Sequence, residues 1–101
     1  MNYNIRGYII GITGKIAHAI SQNMAHDEDF DVEEYLAGCA EVMYMAGLPK
    51  DVVESIVKEA MKQGKIEYAM GYTFGNSGGQ MHPSIMLEND CIMLVKYLTA
   101  V

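Results

Sequence analysis

The chain has 101 residues, of which half are hydrophobic and a fifth are charged, so it can build one core and is too short for two domains. Thirteen acidic residues against seven lysines and arginines give a net charge of −6, which repels phosphate backbones and disfavours direct binding of nucleic acid. We therefore expect a single domain over residues 1–101 that favours basic partners.

Residue patterns also disfavour metal-binding and membrane proteins. Cys39 and Cys91 are the two cysteines; they form no CxxC pair and no cluster with the histidines, so we expect reduced thiols and neither metal nor cofactor. No run of about 18 apolar residues is present, and Lys15 and His18 interrupt the apolar stretch that a signal peptide needs. The expected protein is cytoplasmic and does not insert into a membrane.

The opening segment, residues 3–25, is predicted to be a helix with one bulky face. Its isoleucines recur at steps of four, three, four and four residues, the spacing of one side of a helix. They are Ile5, Ile9, Ile12, Ile16 and Ile20. The glycines of this segment leave an alternative open, in which a strand from Tyr3 to Ile12 turns at Gly14.

The opposite face of the same helix is predicted to be smooth. It contains Gly7, Gly11, Gly14 and His18 at steps of four, three and four residues, followed by Ser21 and Ala25. A glycine inside a helix costs roughly 1 kcal/mol relative to alanine, so three on one face indicate close packing by another backbone. We expect this glycine row to pack against a neighbouring helix, and we expect that neighbour to be a second copy in a homodimer.

An acidic segment follows the first helix. Asp27, Glu28, Asp29 and Asp31 precede the second helix, for which Asp31 is the expected N-cap and Glu34 the reciprocal member of a capping box. Ten of the thirteen acidic residues lie between positions 27 and 59. The segment is therefore predicted to be a docking patch for a basic partner.

Two amphipathic helices are predicted next. The second helix ends at Gly47, and the third runs from about Lys50 to Gln63 and ends at Gly64. Tyr44 and Met45 lie off the inward stripe of the second helix, so we expect them to form an exposed apolar patch beside the acidic residues.

The last third of the chain is predicted to contain β-structure. Large apolar residues alternate with small or polar ones between positions 66 and 74, which is typical of a strand. Residues 75–80 form a glycine-rich loop, residues 81–87 return as the second strand, and residues 91–101 fit either a helix or a strand. The predicted fold class is α+β, mainly helical, with three N-terminal helices, a small β-hairpin and a C-terminal helix or strand.

No catalytic or calcium motif is complete. Residues 11–15 contain part of a phosphate-binding loop, but its first and last positions are isoleucines. Asp27, Asp29 and Asp31 alternate as in a calcium loop, whose sixth and twelfth positions are here Val32 and Gly38 instead of glycine and glutamate. We expect no enzymatic activity and no metal site.

The favoured function is that of a small acidic protein that binds or inhibits a basic partner, such as a nuclease or an immune complex, as small proteins of phages and mobile elements do. The predicted contact residues are Asp27, Glu28, Asp29, Asp31, Glu34, Tyr44 and Met45. Two alternatives stay open. One is a site for a small anionic ligand or nucleotide at Lys15, Asn76 and Ser77, and the other is a structural homo-oligomer joined by the glycine row.

Overall fold

The computed structural model describes residues 3–71 and 82–100, and the described residues form four helices. These are α1 (Tyr3–His26), α2 (Val32–Ala46), α3 (Lys50–Ala69) and α4 (Pro83–Thr99). No strand occurs in the described part of the chain. The fold is therefore a small all-helical domain, and the predicted α+β class is wrong.

The helices form two parallel pairs. In the first pair, Gly64 near the end of α3 lies against Ile20 near the end of α1, and towards their starts Ile9 of α1 lines a depression together with Asp51 of α3. The second pair is α2 and α4. α2 contacts both α1 and α3, whereas α4 contacts α1 and has no contact with α3 among the described residues. Around the bundle the order is consequently α1, α3, α2 and α4.

The core is built from one apolar stripe of each helix. The isoleucine stripe of α1 is confirmed, since its members at positions 5, 12, 16 and 20 are buried and Ile9 is partly buried. The alternative of a strand from Tyr3 to Ile12 is wrong, because this segment is helical throughout. Burial of the stripe against three other helices stabilises a helix that glycines would otherwise weaken.

Both predicted ends of α2 are confirmed. Asp31 has an extended backbone conformation, and its carboxylate accepts a hydrogen bond of 3.1 Å from the Glu34 N–H. Gly47 follows the helix in the left-handed region with φ 103°, which favours glycine. The reciprocal bond of a capping box, from Asp31 N–H to the Glu34 side chain, is not among the hydrogen bonds of the described residues.

The predicted end of α3 at Gly64 is wrong, and so is the strand that was expected after it. The helix continues to Ala69, because Gly64 is buried at the contact with α1 and serves close packing instead of termination. Ile66 and Tyr68 lie in the last turn of α3, Met70 follows it directly, and all three side chains are exposed to solvent. Exposed apolar side chains obey no periodicity, so the alternation carried no information about a sheet.

The predicted return strand at residues 81–87 is also wrong where the structure describes it. α4 begins at Pro83, a position where the first turn of a helix tolerates proline. Residues 91–99, for which the sequence fits either a helix or a strand, belong to this helix. His82 is the N-cap and accepts a hydrogen bond from the Ser84 N–H. Residues 72–81, which include the whole predicted loop of the hairpin, lie outside the described residues.

Within the described ranges, none of the helices has the length and apolar content that crossing a bilayer requires.

Candidate functional site

Seven carboxylates form one exposed surface on the α1–α2 loop and the outer side of α2. All seven side chains are exposed, and no lysine, arginine or histidine occurs between positions 27 and 41. We call this the acidic surface, and its members are Asp27, Glu28, Asp29, Asp31, Glu33, Glu34 and Glu41.

The acidic surface carries the entire net charge of the chain. It contributes seven negative charges and no positive one, whereas the rest of the chain has six acids and seven lysines or arginines. The remainder is therefore close to neutral, with a formal charge of +1. The charge of −6 is thus concentrated on one loop and one helix face and is not spread over the molecule.

No charged side chain neutralises the acidic surface within the described part of the chain. The ion pairs there are Lys15–Asp90 at 2.6 Å, His18–Glu67 at 3.3 Å and one i,i+4 pair on α3. Two of the seven carboxylates accept backbone hydrogen bonds: Asp27 from the Asp29 N–H at 2.9 Å, and Asp31 at the N-cap. The chain therefore leaves these charges available to a partner.

The loop end of the acidic surface surrounds a depression of about 370 Å³. Four carboxylates and four less polar residues line it, namely Asp27, Asp29, Asp31, Glu34, Phe30, Tyr35, Gly38 and Pro83. The Phe30 and Tyr35 rings lie 5.4 Å apart between their centroids. Aromatic rings that accept an alkyl stem, next to carboxylates that accept a cation, are suited to a lysine or arginine side chain.

Burial changes the proton affinity of the groups beneath this depression. It raises the pKa of the Tyr35 hydroxyl well above its usual range, and the neighbouring Cys39 adds to this shift. It also raises the pKa of the Cys39 thiol to about 12, against an ordinary value of 9.0. Both groups are neutral at physiological pH, so the negative charge at this end belongs to the carboxylates alone.

Tyr44 and Met45 are exposed as predicted; they lie at the opposite end of α2 from the acidic loop, but within about one turn of Glu41, a member of the acidic surface. Their side chains are 46% and 80% exposed. Met45 is eleven residues after Glu34 on one helix, which places it about 16 Å further along the axis. Met45 instead lines a second depression, of about 380 Å³, between α2 and α4. The other residues that line it are Val42, Ala46, Ser84, Glu88 and Ile92.

The three glycines of the glycine row of α1 are not packed against the described chain. Gly7, Gly11, Gly14 and His18 are exposed, and a Cβ atom added at any of the three glycines would meet nothing within 4 Å. No other helix of the described chain therefore covers these three glycines. Self-association through the same face stays a prediction.

The residues predicted for an anionic ligand are only partly described. Lys15 lies in the 2.6 Å ion pair with Asp90, which already neutralises its charge. Asn76 and Ser77 lie outside the described residues. In the described part of the chain, no group of three histidine, cysteine, aspartate or glutamate side chains could hold a metal ion.

Sequence reasoning did not find the α4 side of the second depression. Ile85, Glu88 and Ile92 recur at steps of three and four, which is the spacing of one helix face. This signal was hidden because the segment before position 88 was interpreted as a strand, which would place neighbouring residues on opposite faces.

No protein-family model, curated protein or solved structure matches the chain significantly. The candidate site is accordingly defined by its charge, exposure and shape.

Proposed function

We propose that this chain is a binding protein that docks its acidic surface onto a positively charged surface of a partner protein. The observation that supports this proposal is the set of seven exposed carboxylates, unpaired among the described residues, on one loop and one helix face. Carboxylates placed together repel one another, and a basic partner relieves that repulsion on binding.

Charge segregation also favours fast association. A field concentrated on one side of a small molecule orients it before contact and increases the rate of encounter with a surface of opposite charge. The rest of the chain is close to neutral, so encounters through other faces gain little. The partner is expected to present several lysine or arginine side chains, one of which enters the depression next to Phe30 and Tyr35.

If the partner's basic surface also binds nucleic acid, docking of this chain inhibits that partner. The acidic surface then occupies the positions of phosphate groups, and the two ligands compete. A nuclease or a nucleic-acid-guided immune complex has such a surface. This more specific proposal, inhibition of a nucleic-acid-binding protein, is supported by the negative charge of the site.

The proposal is tested with two sets of substitutions that change the net charge equally. The first set is Asp27→Asn, Glu28→Gln and Asp29→Asn on the acidic surface. The control set is Asp51→Asn, Glu54→Gln and Glu59→Gln, which neutralises three exposed carboxylates of α3. The probe is a fluorescent lysine peptide of about ten residues, and its affinity is measured by anisotropy at several salt concentrations.

We expect the acidic-surface variant to bind the peptide roughly tenfold more weakly and with a smaller dependence on salt, while the control variant stays within about twofold of the wild type. Equal losses in both variants would show that only net charge matters. Equal losses, or the absence of any peptide binding by the wild type, would contradict a dedicated docking surface.

A further inference from the structure

We infer that the groove between α2 and α4 binds a basic amphipathic helix of the partner. This inference rests on the proposed function, since it names the structural element that the partner presents to the acidic side of the molecule. Its foundation is a different feature, namely an exposed, largely apolar depression between α2 and α4 that lies next to the acidic depression.

The two depressions described above are neighbours along α2, and α4 contributes residues to both. α2 and α4 run in parallel, because Gly38 lies against Pro83 near the start of both helices and Gly47 lies against Val95 near their ends. Gly38 and Pro83 line the acidic depression. Val42, one turn after Gly38, and Ser84, directly after Pro83, line the second one. We call the two neighbouring depressions together the α2–α4 groove.

Three large apolar side chains flank this groove and are exposed to solvent. Met45 is 80% exposed, Ile85 74% and Ile92 44%. Ile85 and Ile92 are two helical turns apart on the same side of α4, and Met45 lines the groove from α2. A cluster of exposed apolar residues beside a channel is typical of a surface that is covered by a partner.

The charges around the groove specify the chemistry of that partner. Glu34 and Glu41 lie on the exposed side of α2, and Glu88 lines the groove from α4. α2 contains no basic residue, and α4 contains Lys96 in its last turn. An apolar channel bordered by carboxylates is complementary to a helix that has an apolar stripe with lysines or arginines on both sides.

The length of α2 indicates how long a partner helix can lie along it. α2 has 15 residues and is therefore about 22 Å long. A helix of about 14 residues spans the same distance and carries apolar anchors at i, i+3, i+4 and i+7 on one side. Methionine at the groove edge adapts to side chains of different shape, which suits the recognition of such anchors.

A second copy of the chain is a poorer occupant. The exposed side of α1 carries Tyr3 and Ile10, but from Gly11 to His18 it offers no large apolar anchor. A contact between α1 of one copy and the groove of another would also be head-to-tail, which leads to chains of molecules unless it closes into a ring.

The test uses two peptides of about 14 residues with identical leucine and lysine content. In the first, the leucines follow the spacing of one helix face, and in the second they are scrambled. The protein variants are Met45→Ser with Ile92→Ser in the groove, and Ile10→Ser with Met70→Ser as a matched control at exposed sites elsewhere. None of these substitutions changes the net charge, and circular dichroism and thermal unfolding verify that each variant is folded.

We expect the amphipathic peptide to bind roughly tenfold more tightly than the scrambled peptide, and the groove variant to lose this preference while the control variant keeps it. If both peptides bind equally, or the groove variant binds as the wild type does, the inference is overturned while the acidic surface remains supported. If neither peptide binds, both proposals fail.

Light scattering of the unliganded protein tests whether a second copy of the chain occupies the groove. We expect a monomer at the concentrations of the peptide titration. An oligomer that becomes monomeric in the Met45→Ser, Ile92→Ser variant would assign the groove to a second copy of the chain and overturn the inference of a foreign helix.

Discussion

A Cβ atom at Gly64 would lie 2.9 Å from both the Cβ and the Cγ2 atoms of Ile20 and 3.0 Å from the carbonyl oxygen of Ala17. The oxygen belongs to the backbone of α1, so the helices have to separate to make room for a methyl group. At Gly14 the same added atom would meet nothing within 4 Å. A methyl group added at Gly64 and one added at Gly14 are thus expected to have opposite effects on stability.

Replacing Gly64 by alanine is expected to destabilise the fold by about 1–2 kcal/mol, because overpacking outweighs the gain in helix propensity. Gly14→Ala is the matched control and is expected to stabilise by roughly 0.5–1 kcal/mol, since propensity acts there alone. Urea unfolding of both variants measures the difference. A Gly64→Ala variant as stable as Gly14→Ala would show that α1 and α3 are not in close contact at this point.

The two buried thiols predict a dependence of stability on alkaline pH. Burial raises the pKa of Cys39 to about 12 and that of Cys91 to about 11, from an ordinary value of 9.0. Above pH 9 the unfolded chain loses these protons while the folded chain keeps them. The stabilising contribution is therefore complete below pH 9 and is lost as the pH rises toward 11 and 12.

We expect the free energy of unfolding to fall above pH 9 by up to about 1.4 kcal/mol per pH unit for each thiol. Chemical unfolding at pH 8 to 10 measures this slope. A Cys39→Ala, Cys91→Ala variant provides the control, because it should be less stable at pH 8 and should have a shallower slope. An identical slope in both proteins would exclude the thiols as its cause.

At the scale of elements, the residues just before α2 both cap the helix and contribute charge to the acidic surface. Asp31 is a member of the acidic surface and also the N-cap of the helix, where it accepts the Glu34 N–H bond. Asp29 belongs to the same surface, but no hydrogen bond to its own side chain occurs among the described residues. Substitutions of Asp31 and Asp29 can therefore separate the structural role of the N-cap from the docking role of the surface charge.

Asp31→Ala is expected to destabilise the protein by roughly 1 kcal/mol, since an N-cap hydrogen bond is lost. Asp29→Ala removes one charge of the same sign nearby and is expected to leave stability within about 0.5 kcal/mol of the wild type. Thermal unfolding of the two variants compares them. Equal destabilisation would indicate that charge near the helix N-terminus, and not the cap, is responsible.

At the scale of the whole molecule, the charge distribution opposes the fold as well as favouring a partner. Seven carboxylates are concentrated on one side, and no ion pair of the described residues offsets them. Their mutual repulsion is present in the unbound molecule and is screened by salt within a Debye length of about 10 Å at 0.1 M.

We expect the melting temperature to rise as NaCl increases from about 10 to 200 mM, because screening reduces this repulsion. Glu28→Gln, Asp29→Asn and Glu41→Gln together should diminish the salt effect, whereas Asp51→Asn, Glu54→Gln and Glu59→Gln should preserve it. A salt effect that is the same in all three proteins would place its origin outside the acidic surface.

Several features followed from local rules. The Asp31 cap and the left-handed Gly47 are set by short-range backbone geometry, and the isoleucine stripe of α1 is set by helical periodicity. The exposure of Tyr44 and Met45 followed from their position off the inward stripe. These are properties that a few neighbouring residues determine.

Other features depended on contacts between distant segments. Gly64 was interpreted as a helix end because glycine is common there, and only the approach of Ile20 reveals its role in packing. The alternation near Ile66 predicted a strand, although tertiary contacts leave these residues exposed on a helix. Likewise, the groove exists because α2 and α4 are parallel neighbours, which neither helix encodes alone.

The sequence by itself determined the isoleucine stripe of residues 3–25, the caps of α2 and the concentration of negative charge, because each depends on residues close together in the chain. The structure excluded the strand that the glycines of residues 3–25 had left open. Tertiary structure alone decided that the last element is helical from Pro83, that Gly7, Gly11 and Gly14 face away from the described chain, and that the acidic depression has an apolar depression as its neighbour along α2. The physical reason is that burial, and not local pattern, determines which apolar residues form a core and which remain as a surface.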